Sequence, residues 1–183
     1  GNLFNYPMYP LTTKHSIGGM YDAVSRYCFG DVSDPGKLMG LSPYGKSGFF
    51  NEGIFQLKDG RVFVNYQWIS KYNKNANDYD DFKENFQYYA DIAKGVQLEL
   101  EKAVLYIVEE RMKFGKNGKL AYAGGTALNA LVNSLIVKNN LVDELYIQPA
   151  AGDNGLAIGC AFYGWLEVLK KEREKYHNMS MDT

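Results

Sequence analysis

Two glycine-centred stretches carry most of the residues whose types and spacing could do chemistry. They are Ala123-Gly124-Gly125-Thr126-Ala127-Leu128-Asn129 and Gln148-Pro149-Ala150-Ala151-Gly152-Asp153-Asn154-Gly155. Each follows a short apolar run, residues 120–123 or 145–147, and each leads at once into a helical pattern. Both units therefore read as strand, turn, helix. If the strands are parallel neighbours, both turns open on one edge of the sheet, outside the carboxyl ends of the strands, where ligands of open α/β sheets sit. Free N–H groups at the two helix starts would favour an anion there. Gly124-Gly125 permits close approach of a ligand to the backbone. Asn129, expected just over one turn inside its helix with Asn133 four residues further on the same face, would reach a ribose or base. A tight turn followed by a polar helix face explains the same residues, and spacing does not separate the two readings. Asp153, between Gly152 and Gly155, could bind a hard or borderline cation or a water on one. Alternatively, Asp153 or Asn154 simply N-caps the last helix.

Other candidates are sparser. From Gly30 to Lys46 the chain holds several helix-interrupting residues and no hydrophobic period, which reads as an ordered loop. Lys37 and Lys46 stand beside glycines in it and could present ammonium groups to a phosphate, or could be solvated surface lysines. The chain has two histidines. His15 precedes the first helix and could touch a phosphate or substrate, or be structural; His177 falls in a fraying tail. Spacing supports no Ser/His/Asp or Cys/His arrangement, and the P-loop and G-x-G-x-x-G patterns are absent.

The elements that must position these residues follow from periodicity. Residues 1–14 read as an extended leading segment. Apolar residues at three- and four-residue steps predict a helix over 16–29. Runs at 54–57 and 61–66 flank Lys58-Asp59-Gly60, a hairpin signal. Residues 71–81 read as a polar connection. A long helix is expected over 86–113, ended by Gly115-Lys116-Asn117-Gly118. A crossover helix is expected over 126–138. A last helix starts near Gly155 and runs past Trp165 and Leu169 into the charges at 170–175, and residues 178–183 form a disordered tail.

At 183 residues, 46% hydrophobic and 22% charged, the chain suits one well-packed soluble α/β domain. A net charge of −1 gives no field for steering onto nucleic acid or an anionic membrane. Cys28 and Cys160 read as small buried hydrophobes of a reducing compartment. With no apolar run near the roughly 18 residues that span a bilayer and no signal peptide at its start, the chain is expected to be cytoplasmic. It begins Gly1-Asn2-Leu3-Phe4, without an initiator Met, and so is expected to be an excised piece of a longer protein or a tag-cleaved product.

Four blocks in order resemble the nodulation-type O-carbamoyltransferase family. They are His15-Ser16-Ile17-Gly18 through Gly30; Lys37-Leu38-Met39-Gly40-Leu41-Ser42-Pro43-Tyr44-Gly45; Ala123 through Asn129 with Asn133; and Gln148 through Gly159. The helix holding Gln97 and Glu101 also falls in place. The resemblance implies an actin-like, ribonuclease-H-like ATPase lobe with a mixed sheet, packed helices and a β-hairpin, here the second lobe of the transferase domain. It implies ATP or carbamoyl adenylate as the nucleotide, carbamoyl phosphate as the donor, and a hydroxyl of a sugar or other small metabolite as acceptor. Gly124, Gly125, Asn129, Gly155, Lys37 and Gly40 are the cofactor-contacting positions so implied, and Asp153 a ligand to a divalent metal of iron or magnesium type. The family completes that metal site with an H-x-x-x-H pair from a first lobe, absent here. The first lobe and an adenylate-forming domain would therefore come from the same or a partner chain, and this chain alone should be inactive. The rival expectation is a non-catalytic nucleotide-binding or interaction module. A third, the related threonylcarbamoyl-transfer branch, is disfavoured by residues 39–45.

Overall fold

The computed structural model describes residues 16–30, 34–48, 53–65, 72 and 79–173. The expected first helix is present as α1, Ile17–Phe29. Ser16 caps it by accepting from the Gly19 N–H at 3.0 Å, and the Gly30 N–H closes its far end on the Arg26 carbonyl.

The described part of the span from Gly30 to Lys46 is not a loop. It holds α2, Pro35–Leu41, followed by a 3-10 turn at Ser42–Tyr44. The proline that argued against a helix sits in the first turn, where no N–H partner is required. Leu38 and Leu41, one turn apart, are both buried and anchor the short helix. The polar connection also ends early, because α3 begins inside it at Tyr79–Glu84. Phe82 of α3 meets Phe29, Phe86 and Tyr89 at ring-centroid distances of 5.3 to 5.9 Å, so aromatic packing recruits an otherwise polar stretch.

The hairpin forms as read, with β1 at Phe55–Lys58 and β2 at Arg61–Val64 paired antiparallel. Its turn residues Asp59 and Gly60 both have positive φ, 53° and 68°, which suits the right-handed twist of a two-residue hairpin.

The long helix α4, Phe86–Met112, is the axis of the molecule. Its buried residues run from Tyr89 to Val108, and α1, α2, the 3-10 turn, the hairpin and the crossover helix pack around it. Beyond it, β3 (Lys119–Tyr122) and β4 (Glu144–Ile147) pair in parallel. Leu120, Tyr122 and Leu145 pack onto the core, while Lys119, Ala121, Glu144 and Tyr146 are exposed on the opposite face. The crossover is split into a 3-10 turn, Gly125–Leu128, and helix α5, Ala130–Lys138.

The last helix α6, Gly155–Tyr163, passes into a π-helical turn at Gly164–Val168 and stops at Leu169. The expected run to 175 is broken because Lys170 takes a positive φ of 51° and Trp165 Nε1 donates to the Glu172 carbonyl, folding the chain back. The α/β class holds, but among the described residues the strands make two separate two-stranded sheets rather than one mixed sheet. No helix among those residues is long and apolar enough to cross a membrane. The leading segment 1–14, His15, His177 and the tail lie outside the described residues.

Candidate functional site

The parallel pairing of β3 and β4 brings the two glycine turns side by side. The Gly124 N–H donates to the Ala151 carbonyl at 2.8 Å, tying one turn to the other. Gly124 has φ 106° and ψ 169°, a conformation strained for any residue with a Cβ. At Gly155 the requirement is steric: a Cβ there would run into the Ala150 carbonyl oxygen. A cleft of about 610 Å³ opens over these turns, at the carboxyl ends of the strands. Gly124 and Asp153 lie on its floor side, and Leu156, Cys160 and Tyr163 of α6 form its wall.

Of the sequence-derived site residues, Gly124, Asp153 and Gly155 meet at this cleft. Gly125 follows Gly124 into the 3-10 turn. Lys37 and Gly40 lie on α2 and do not line the cleft. Lys37 is largely exposed and ion-pairs with Asp34 at 2.7 Å within its own helix, so its charge is already answered locally. The Lys46 N–H donates to Asp91 on α4.

Two of the expected free amides at the α6 start are taken up. The Gly155 N–H bonds to the Gly152 carbonyl and the Leu156 N–H to that of Asp153, a tight first turn that consumes two donors. Nor does a side chain cap this helix: Asn154 holds the N-cap position without a capping bond, and Asp153 projects its carboxylate as an exposed group.

Asn129 is not one turn inside a helix. The 3-10 turn pushes the helix start back, and Asn129 becomes the N-cap of α5, its Oδ1 accepting from the Val132 N–H at 3.1 Å. The side chain is buried and faces α4. Asn129 Nδ2 donates to Gln97 Oε1 at 2.9 Å, and Gln97 Nε2 donates back to Asn129 Oδ1 at 3.1 Å. Tyr21 of α1 donates its hydroxyl to the same Gln97 Oε1 at 2.8 Å, and Gln97 Nε2 also reaches Glu101 Oε1. Burial pushes the Tyr21 phenol well above its ordinary value, and the nearby Glu101 charge adds to this, against the opposing Asn129 hydrogen bond. The glycine turn is thus bolted to both α1 and α4 by buried polar groups. Asn133 donates to the Ala127 carbonyl at 2.8 Å, and its buried Oδ1 has no partner among the described residues. Periodicity could not single out Tyr21, which reads as one more apolar position of α1.

The cysteines part company. Cys28 is buried in the core, and burial pushes its thiol up to about 12, whereas Cys160 is exposed on the cleft wall, against the expectation that both are buried. Among the described residues no group of three or more His, Cys, Asp and Glu is placed to hold a metal ion. Asp153 offers a carboxylate at the cleft, but the donor set of these residues does not by itself fit a metal.

A parallel strand pair with two glycine turns and a cleft at its carboxyl edge defines the class: an α/β protein. The family is more specific. The profile of the carbamoyltransferase N-terminus matches residues 1–162, and the chain belongs to that family. An uncharacterized protein of Synechocystis is 31% identical over 184 residues, covering 91% of this chain and 30% of the relative. Nodulation protein NolO of Bradyrhizobium diazoefficiens is 30% identical over 152 residues, 80% of this chain and 28% of its own length. Nodulation protein NolNO of Sinorhizobium fredii is 25% identical over 160 residues, 85% of this chain and 24% of its own. The chain thus spans under a third of the length of the curated relatives it matches.

Proposed function

We propose that this chain is the nucleotide-contacting lobe of an O-carbamoyltransferase, of the actin-like, ribonuclease-H-like architecture. In that reaction carbamoyl phosphate and ATP yield carbamoyl adenylate, and the carbamoyl group then passes to a hydroxyl of a small acceptor. The observation that carries the reading is the Gly124–Ala151 hydrogen bond, which joins both motif turns beneath one cleft. Gly124 leaves open space where a side chain would stand, so a nucleotide can lie against the backbone. Asn129 and Gln97 serve this contact from behind by fixing the turn, and Tyr163 and Leu156 exclude water along the helical wall. Asp153 would supply one oxygen ligand to a divalent metal whose other ligands come from outside this chain, so no step is derived through that metal.

The test is carbamoyl transfer in the longer family polypeptide, with ATP and carbamoyl phosphate, together with calorimetric nucleotide binding. Gly124→Val should abolish nucleotide binding and transfer, because it fills the space against the backbone. Asp153→Ala should lower transfer at least tenfold while sparing nucleotide binding. Unchanged binding in Gly124→Val would sink the nucleotide assignment, and equal transfer in Asp153→Ala would sink the metal one.

A further inference from the structure

Helix α1 lines no part of the cleft, yet it meets the glycine turn at two points about one turn apart. At the first, a Cβ added to Gly18 would stand 3.4 Å from Thr126 Cγ2, so the start of α1 lies against the 3-10 turn. At the second, Tyr21, only 5% exposed, donates its hydroxyl to Gln97 Oε1 at 2.8 Å while its oxygen accepts from Asn129. Asn129 closes the far end of the 3-10 turn that begins at Gly124. That turn has little slack. The Ala127 N–H bonds to the Gly124 carbonyl at 3.0 Å and the Asn129 N–H to the Thr126 carbonyl at 3.1 Å, so its two ends move together. Ala151 holds Gly124 from the front, and the Tyr21–Gln97–Asn129 group holds the turn from behind. Between these two anchors Gly124 keeps a conformation strained for any residue with a Cβ.

We propose that Tyr21 is a positioning residue for the cleft: its hydroxyl, acting through Gln97 and Asn129, holds the Gly124 backbone in the pose that receives the ligand. The apolar period of α1 does not ask for that hydroxyl, since phenylalanine would fill the same buried volume. The oxygen is needed only because two amides from other elements converge on it or on its partner. The identity of the ligand rests on the nucleotide reading above; the hold of Tyr21 on Gly124 does not.

Urea unfolding of Tyr21→Phe, Gly124→Ala and the double variant tests the hold itself. Without the hydroxyl the turn can relax, so Gly124→Ala then costs less, and the double variant should lose less stability than the two single losses together. Nothing lies within 4 Å of the Gly124 Cβ position, so a residue that merely fills the core should add to Gly124→Ala instead. Ile92→Val, at a fully buried site of α4 outside the polar group, should show that additivity. In the longer family polypeptide, Tyr21→Phe should weaken calorimetric nucleotide binding about two- to thirtyfold, the range of coupling carried through a packed network. Ile92→Val should leave that binding unchanged. Additive losses for Tyr21→Phe and Gly124→Ala would overturn the proposal, whether or not the wild type binds nucleotide. Unchanged affinity in Tyr21→Phe beside a wild type that binds would overturn it too, and would leave the nucleotide reading standing.

Discussion

Gln97→Leu is the most informative substitution in this fold. It keeps the volume and helical preference of the residue while deleting its amide. Gln97 Oε1 accepts from both the Tyr21 hydroxyl and Asn129 Nδ2, so its removal orphans the buried Tyr21 O–H and leaves Asn129 only its hydrogen bond to the Tyr21 oxygen. Such an orphan costs about 1–3 kcal/mol. Asn129 Oδ1 keeps the Val132 N–H, so the cap itself survives. The loss is large beside a total stability of about 5–15 kcal/mol and should show plainly in urea unfolding followed by circular dichroism. The decisive arm adds Tyr21→Phe. Alone it removes a satisfied hydroxyl and costs about 1 kcal/mol; on the Gln97→Leu background it removes the orphan together with the remaining Asn129 bond and should cost less. If the two costs simply add, or if Gln97→Leu falls within about 0.5 kcal/mol of wild type, the network does not hold the turn.

Four further outcomes follow from individual residues. Gly124→Ala should cost about 1–3 kcal/mol of stability through backbone strain, since nothing lies near its missing Cβ. Gly125→Ala, with equal space and no positive φ, should be neutral or stabilising by about 0.4–1 kcal/mol in the same melts. Burial holds the half-buried Asp22 carboxyl above its ordinary value, so folding disfavours its charge. Asp22→Asn should therefore raise stability at pH 7, and the gain should vanish as pH falls through the ordinary carboxylate range; a gain that persists in acid would refute the cause. Iodoacetamide should label Cys160 in the native protein and reach Cys28 only after unfolding, read by mass spectrometry.

What could be read from the sequence was whatever had a local cause. Asp59-Gly60 between alternating runs specifies its hairpin by turn chemistry alone, and the apolar face of α4 shows at its 3.6-residue period. The two strand–glycine turn–helix units were legible for the same reason, whereas the parallel pairing of their strands was only a condition of the reading until the fold showed it. Where composition and packing pull apart, the reading failed. Pro35 and Gly36 disguise α2, whose existence depends on two leucines finding the core. Four residues of 3-10 helix move Asn129 from a helix face to an N-cap and turn its amide inward, a shift that no periodicity announces. Gln97 sits on a helix rich in polar residues, and only the tertiary fold shows that this one is buried.

The Gly124–Ala151 hydrogen bond has a consequence for how the cleft can be watched. A single amide proton spans the two turns, so anything that pries one from the other releases it to solvent. Its exchange rate is therefore a gauge of the gap between two loops 27 residues apart in the chain. In an amide-resolved spectrum, one glycine resonance would report both the filling of the cleft and the loosening of its floor.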